Sequence, residues 1–527
     1  MGPQSILIAG EWQPANAAST FQADNPTTAK PLSDVYPVST WHDCDAALAA
    51  AVDAARSLRS LPVERLAVFL DRFAERIEAR AAELVEMAHS ETALPQKPRL
   101  ADVELPRTTN QLRQAAAAAR EGSWALPTID TKLNIRSCYM PLGPVAVFGP
   151  NNFPFAFNSV AGGDFAAAIA TGNPVIAKAN TSHPGTTRLL AEEAFAAVTE
   201  TELHPATVQL LYRTSHADGE RLVADPRLGA TGYTGSRSAG LALKRAADAA
   251  GKPIYLELSS VNPVLVLSGA LSERGDKIAE EFASSCLMGT GQFCTNPGLV
   301  VLLGGPATEE FIANVARRFG AAPAGTLLSA SVARNLATSV RELASAGADL
   351  LVGGVADSTG GYRFANTLLR VSGEQFLAAP EKLQTEAFGN ASLVVVAQNA
   401  RQAAAVLDHL EGNLTGCVYS DTRGSDDALY ADLIDHLRPR VGRLLNDKMP
   451  TGVAVSSGMN HGGPYPATGH PGFTAVGIPA SLRRFAMLAC YDGVRPARLP
   501  ELLQDKNPAG QPWRLVDGAW TQSDVKA

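Results

Sequence analysis

The chain has 527 residues, 46% of them hydrophobic and 18% charged, with a formal net charge of −7. That balance excludes a long disordered polyelectrolyte, and no Lys/Arg cluster interleaves with aromatics, which excludes nucleic acid as the main partner. The length predicts two or three domains rather than one core. The opening stretch "MGPQSILIAGEWQPANAAS" lacks a basic segment followed by an apolar one, and no apolar run reaches the length of a membrane span. Cys44, Cys138, Cys286, Cys294, Cys417 and Cys490 are scattered, with no CxxC pair. The expectation is a cytoplasmic enzyme that keeps its thiols reduced and has no membrane partner.

From Asp43 to about Thr92, apolar residues recur at three- and four-residue spacing, which predicts helices, with another over "VELPRTTNQLRQAAAAAREG". "TKLNIRSCYMPLGP" reads as an extended arm or hairpin. From Pro144, short β-rich runs alternate with helices: "PVAVFG", "NPVIAKAN", "TVQLLYR", "LGATGYTG" and "KPIYLEL" are the predicted strands. That alternation predicts a parallel sheet covered on both faces, with ligands at the carboxyl ends of its strands. A second α/β region spans roughly residues 262 to 450. The tail is rich in Gly, Pro and Tyr and includes "LRRFAMLACYDGVRPARLP", a helix or strand followed by a surface strap.

Several residues sit where chemistry is done. Cys294, in "LMGTGQFCTNPGL", lies among turn formers rather than inside the apolar run usual for a structural cysteine. Glu257 ends an apolar run in "YLELSS", either satisfied by backbone donors or poised as a base. Asn152, in "FGPNNFPF", either donates to an oxyanion or caps a turn. Lys178 ends "PVIAK", where burial demands a partner unless the chain snorkels outward. Thr234-Gly235-Ser236 lies at a strand-to-helix junction that could meet a pyrophosphate or simply cap the helix. No Walker or GxGxxG phosphate loop is present. Glu386 precedes a Phe-Gly pair, where the alternative is an ordinary loop carboxylate.

Taken in order, "NNFP", "VIAK", "YTGS", "LELSS", "GQFC" and "EAFGN" resemble the motif series of the aldehyde dehydrogenase superfamily, from "ILIAGEW" to about "CYDGV". "GQFCTNPGL", "AGGDFAAAIATGNPVIAKAN", "SSVNPV", "TEAFGNASLVVV" and "HGGPYPAT" resemble, more narrowly, its NADP-using 2-oxoglutarate semialdehyde (2,5-dioxovalerate) dehydrogenase branch. The resemblance implies an α/β fold: a Rossmann-type parallel-sheet cofactor domain over residues 1–126 and 142–261, a catalytic α/β domain over 262–460, and an oligomerisation arm and strap over 127–141 and 461–527. It implies a homodimer or homotetramer.

In that family's chemistry Cys294 would attack the aldehyde carbon, Asn152 and the Cys294 backbone N–H would hold the oxyanion, and Glu257 would activate water to release the acid. Relatives that pass the acyl group to coenzyme A generally lack this glutamate, so its presence favours hydrolysis. Lys178 would contact the adenosine ribose, Ser236 (with Gly235 in the same turn) the pyrophosphate, Glu386 the nicotinamide ribose, and Phe388 would flank the ring. Thr181 stands where NAD-preferring relatives often carry Glu, which favours NADP over NAD, with Arg213 as a second phosphate contact or a plain surface arginine. Asn151 replaces a common Trp, "LELSSVN" replaces LELGGK, and Asn390 replaces a Pro. Phe155, Phe157, Phe293 and Pro297 are expected to line a narrow substrate tunnel, with Asn158, Arg237 and Ser238 as candidate polar contacts. No arginine identifies itself from sequence as the partner of a substrate carboxylate. The rivals are a broad-range fatty or aromatic aldehyde dehydrogenase, a non-catalytic relative, and a cysteine hydrolase, for which no Cys-His motif is evident.

Overall fold

A computed structural model describes residues 2–357 and 359–525. Its first sheet has seven strands, in the order Ile254–Glu257, Ala230–Thr234, Val145–Phe148, Val175–Lys178, Val208–Leu211, Ile6–Ile8 and Glu11–Gln13. The first five strands in that order are parallel, as the alternation predicts. The chain runs outward from Val145–Phe148 to Val208–Leu211, then crosses back to lay Ala230–Thr234 on the other side. The carboxyl ends of Val145–Phe148 and Ala230–Thr234 therefore diverge around a crevice, where open α/β sheets bind ligands.

The N-terminal hairpin is a feature not read from the sequence. "ILIAGEW" pairs Ile6–Ile8 with Glu11–Gln13 across Ala9-Gly10, both left-handed at φ +54° and +83°. Ile6, Leu7 and Ile8 are buried, and the hairpin covers the sheet edge at Val208–Leu211.

The second sheet runs Asp349–Val352, Thr367–Ser372, Ala391–Ala397, Leu299–Leu303, Val264–Val266, Asn413–Tyr419, Val441–Asn446. Only Asp349–Val352 is antiparallel. Leu299, Val301 and Leu303 pack on one face and Val300 and Leu302 on the other, so period-two alternation splits the core in two. Cys294, Asn262, Gly389 and Asn413 lie at or just before the amino ends of these strands. Glu257 and Lys178 lie at the carboxyl ends of the first sheet. The two sheets meet end to end at the site.

A third sheet joins Ala486–Asp492, Ile135–Pro141, Thr128–Asp130, Arg514–Val516 and Ala519–Thr521. Ala486–Asp492 is its outer strand and leaves Met487 and Leu488 exposed.

Candidate active site

The cysteine loop is built by its glycines. After helix Ser268–Leu287, residues Gly289, Thr290 and Gly291 are all left-handed, and a Cβ on Gly291 would lie 2.0 Å from the Gly389 carbonyl oxygen. The reversal delivers Gln292, whose buried amide donates to the Gly289 and Thr326 carbonyls while its oxygen accepts from Leu328 N at 2.8 Å. Asn262, from the departure "SSVN", donates to the carbonyls of Cys294 at 2.9 Å and Asn296 at 2.8 Å. Asn152 Nδ2 donates to Gln292 O at 3.0 Å, tying the oxyanion candidate to the same loop.

Sequence reasoning missed His461. Its Nε2 lies 3.4 Å from Cys294 Sγ and 2.9 Å from Glu257 Oε1. The residue opens "HGGPYPAT", which belongs to the narrower resemblance, but its contacts span 167 and 204 residues of sequence and no local spacing signals them. The segment assigned to a strap thus begins inside the site. Its continuation seals the open edge of strand Ile254–Glu257, where Leu258 N donates to Ala467 O at 2.8 Å and Gly469 N to Leu256 O at 3.1 Å. His461 and Glu257 are buried, and Glu257 Oε2 has no partner. Burial pushes the Cys294 thiol well above its ordinary pKa, and the adjacent Glu257 charge adds to this, while Arg107 pulls it back. The loop by itself therefore keeps the thiol protonated. A proton acceptor at 3.4 Å is what the arrangement supplies.

The Asn152 loop is fixed from below by Glu104, fully buried, whose Oε1 accepts from Phe155 N at 2.9 Å and Ala156 N at 3.0 Å. Arg99 pairs with the same carboxylate and donates to Asn152 O at 3.1 Å.

Between the two central strand ends lies a cleft of about 630 Å³ lined by Lys178, Thr181, Arg213, Gly235, Ser236 and Ser238, among others. The Lys178 ammonium makes no hydrogen bond or ion pair with any described residue, and desolvation, with a contribution from Arg213, lowers its pKa to about 8. Ser236 is the N-cap of helix Arg237–Ala249, yet its hydroxyl makes no capping bond. A Cβ on Gly235 would meet Tyr233 Oη at 2.7 Å. An unpaired ammonium, a free hydroxyl and a helix N-terminus suit the pyrophosphate and ribose of a dinucleotide. Arg213 is exposed at the lip, and the exposed Glu220 also lines the cleft. Glu386 carries a carboxyl raised to about 7 by burial, held against Ser259 and the Ser260 backbone; Phe388 beside it is half-buried.

Several expected tunnel residues are elsewhere. Phe157 and Phe293 pack with Phe153 and Phe473 beside the thiol, Phe157 ring-to-ring with His461 at 5.8 Å. Phe155 instead belongs to the core under the first sheet, because its backbone N–H is pinned to Glu104 and its ring turns inward; Phe153 is the ring that joins Phe157 and Phe293. Pro297 is buried, its carbonyl accepting from Ser392 Oγ at 2.9 Å. The Asn158 side chain is consumed internally, by Pro154 O, Thr187 Oγ1 and Val160 N. Arg237 is ion-paired with Glu411 at 2.8 Å, and Ser238 faces the cleft.

The aldehyde dehydrogenase family model matches residues 12–434. The chain is 38% identical over 524 residues to alpha-ketoglutaric semialdehyde dehydrogenase 2 of Azospirillum brasilense, covering 97% of this chain and 98% of that one. It is 34% identical to alpha-ketoglutaric semialdehyde dehydrogenase of Acinetobacter baylyi, covering 98% of each chain. Among solved structures, lactaldehyde dehydrogenase from Escherichia coli superposes with a TM-score of 0.80 at 21% identity, over 93% of this chain and 99% of that one. PnpE in complex with nicotinamide adenine dinucleotide superposes at 0.79 and 19%, over 94% and 99%. This chain belongs to the aldehyde dehydrogenase family.

Proposed function

We propose that the protein oxidises 2-oxoglutarate semialdehyde to 2-oxoglutarate with NADP as the acceptor, through covalent catalysis at Cys294. The observation that carries this reading is one imidazole nitrogen within reach of both the Cys294 thiol and the Glu257 carboxylate. The two semialdehyde dehydrogenases matched along nearly their whole length support the substrate.

The thiol S–H bond breaks as a proton passes to His461 Nε2, and the resulting imidazolium N–H lies between Sγ and Glu257 Oε1. Sγ then bonds to the aldehyde carbon. The oxyanion takes hydrogen bonds from Asn152 Nδ2 and the Cys294 backbone N–H, each donor contributing about 3 to 4 kcal/mol to barrier lowering in comparable sites. A nicotinamide held in the cleft would supply the hydride acceptor, so that the aldehyde C–H bond breaks, the carbonyl re-forms and a thioester remains on Cys294. Glu257 next takes a proton from water as its oxygen attacks the thioester, and the C–S bond breaks to free the acid.

Lys178, Thr181, Ser236 and Glu386 are the residues we assign to holding the dinucleotide. NADP is favoured because Thr181, with Lys178 and Arg213 nearby, offers a ribose phosphate a hydroxyl and cations. The first sheet serves as the cofactor domain and the second carries the nucleophile. Exposed Met487 and Leu488 on an outer strand suit pairing with a second copy, in a homodimer or homotetramer. Six free cysteines suit the cytoplasm, and among the described residues no helix is long and apolar enough to cross a membrane.

The test is turnover of 2-oxoglutarate semialdehyde, succinate semialdehyde and hexanal with NADP and NAD, in wild-type protein and Glu257→Gln. The expectation is preference for the first aldehyde with NADP. In the variant, one equivalent of reduced nicotinamide should form rapidly, followed by stalled turnover and an acyl adduct on Cys294 by mass spectrometry. Better turnover of hexanal overturns the substrate, and full turnover by the variant overturns the role of Glu257.

A further inference from the structure

The aromatic wall beside Cys294 is crossed by two arginines with different circumstances. Arg99 stacks on Phe153 at 4.5 Å and Phe293 at 5.4 Å, and both its Nη nitrogens are engaged, by Glu104 and Asn152 O. Arg107, in the first turns of helix Leu105–Glu121, lies between Phe153 and Phe157, its guanidinium carbon 5.7 and 5.3 Å from the ring centroids. Its Nε donates to Gln111 Oε1 at 3.2 Å, and Gln111 is itself anchored by donating to Ala156 O at 3.0 Å. Neither Nη nitrogen of Arg107 donates to any described residue, and Nη2 is buried without a partner. No described carboxylate forms an ion pair with it.

The local charge does not balance. Glu104 is one carboxylate serving Arg99 and two backbone N–H groups, so the pair of guanidiniums is left one negative charge short. Desolvation holds the Arg107 pKa below its ordinary range while Glu104, Cys294 and Glu257 pull it back up; the Phe157 ring that Arg107 lies over packs in turn against His461, the thiol's neighbour. A buried cation is costly unless a counter-charge arrives. The two rings and Gln111 fix the plane of the fork and leave both Nη nitrogens without a partner among the described residues, the pair of donors that a carboxylate meets with two parallel hydrogen bonds.

We propose that Arg107 is the binding group for the far carboxylate of the substrate, so that the site selects aldehydes carrying an anionic end a few carbons away. This rests on the aldehyde-oxidising reading above and identifies the residue that gives it acid-semialdehyde specificity. Arg99 is the positioning residue, holding Asn152 and the ring stack rather than the ligand.

The experiment compares wild type, Arg107→Met and Arg107→Lys, each with 2-oxoglutarate semialdehyde and hexanal. The readout is the ratio of kcat/KM for the two aldehydes, because Arg107 also acts on the thiol and so touches both reactions. In Arg107→Met the ratio should fall about 10- to 100-fold, mostly through KM. Lysine keeps the charge without the fork and should restore part of it. In parallel, 2-oxoglutarate should slow alkylation of Cys294 by iodoacetamide in wild type and not in Arg107→Met. An unchanged ratio, or equal losses for both aldehydes in both variants, overturns the proposal and leaves Arg107 a modulator of the thiol. If wild type prefers hexanal while protection by 2-oxoglutarate still depends on Arg107, the substrate reading fails and the carboxylate site stands.

Discussion

Replacing His461 with Asn removes the only described imidazole beside the thiol and leaves a shorter, neutral amide. At an effective dielectric of about 20, a positive charge 3.4 Å from the sulfur stabilises the thiolate by about 5 kcal/mol. At about 1.36 kcal/mol per factor of ten, that sets an upper limit of roughly 10³-fold on the gain in thiolate. The net expectation is a thiolate population lower by about 10²- to 10³-fold in His461→Asn. Iodoacetamide alkylation of Cys294, followed by peptide mass spectrometry so that exposed Cys490 does not contribute, reads this directly. The variant's rate should be depressed at pH 7 and climb about tenfold per pH unit toward alkaline pH, as for an unassisted thiol. A fall of less than about threefold at pH 7 would show that some other group takes the proton, and the catalytic scheme would have to be redrawn around Glu257 acting alone.

Two further outcomes follow from other parts of the structure. Thr181→Glu places a carboxylate in the cleft with Lys178 and Arg213. Its repulsion of a ribose phosphate, about 4 kcal/mol at 4 Å before salt screening, should raise KM for NADP at least tenfold and leave NAD less affected; equal effects on both cofactors would place the phosphate elsewhere. Buried Glu91 accepts from Gly185 N, Thr186 N and Thr186 Oγ1, and burial is the main reason its pKa rises from 4.5 to about 7. The folded chain then holds a proton that the unfolded chain releases above pH 4.5, so this group's contribution to stability declines as pH rises from 4.5 to about 7, by about 3 kcal/mol. Urea unfolding at pH 5 and 7.5 should show that decline in wild type and a flatter profile in Glu91→Gln; parallel profiles would refute it.

The alternation of apolar runs and helices from Pro144 onward was enough to anticipate a parallel sheet, because a strand buried on both faces must be apolar throughout. The motif order located Cys294, Glu257 and Asn152, since each sits at a strand end or loop where its residue type is locally conspicuous. The antiparallel N-terminal hairpin went unread: "ILIAGEW" is short, and only the open edge at Val208–Leu211 gives it somewhere to pair. The tunnel assignments drifted for a similar reason. Phe153, Phe155 and Phe157 are equally apolar in sequence, and the hydrogen bond from Phe155 N to Glu104 decides which ring faces the core.

What the sequence by itself determined is therefore the set of chemically unusual positions and the order of secondary structure, both of which are local. What only the tertiary structure decided is which groups share a proton or a charge. His461 meets Cys294 and Glu257 because a C-terminal segment seals the edge of strand Ile254–Glu257. Arg107 stands unpaired because Glu104, three residues earlier, is already committed to Arg99 and two backbone donors. Hydrogen bonding and burial are properties of positions in space, and a residue's charge state follows them rather than its neighbours in the chain.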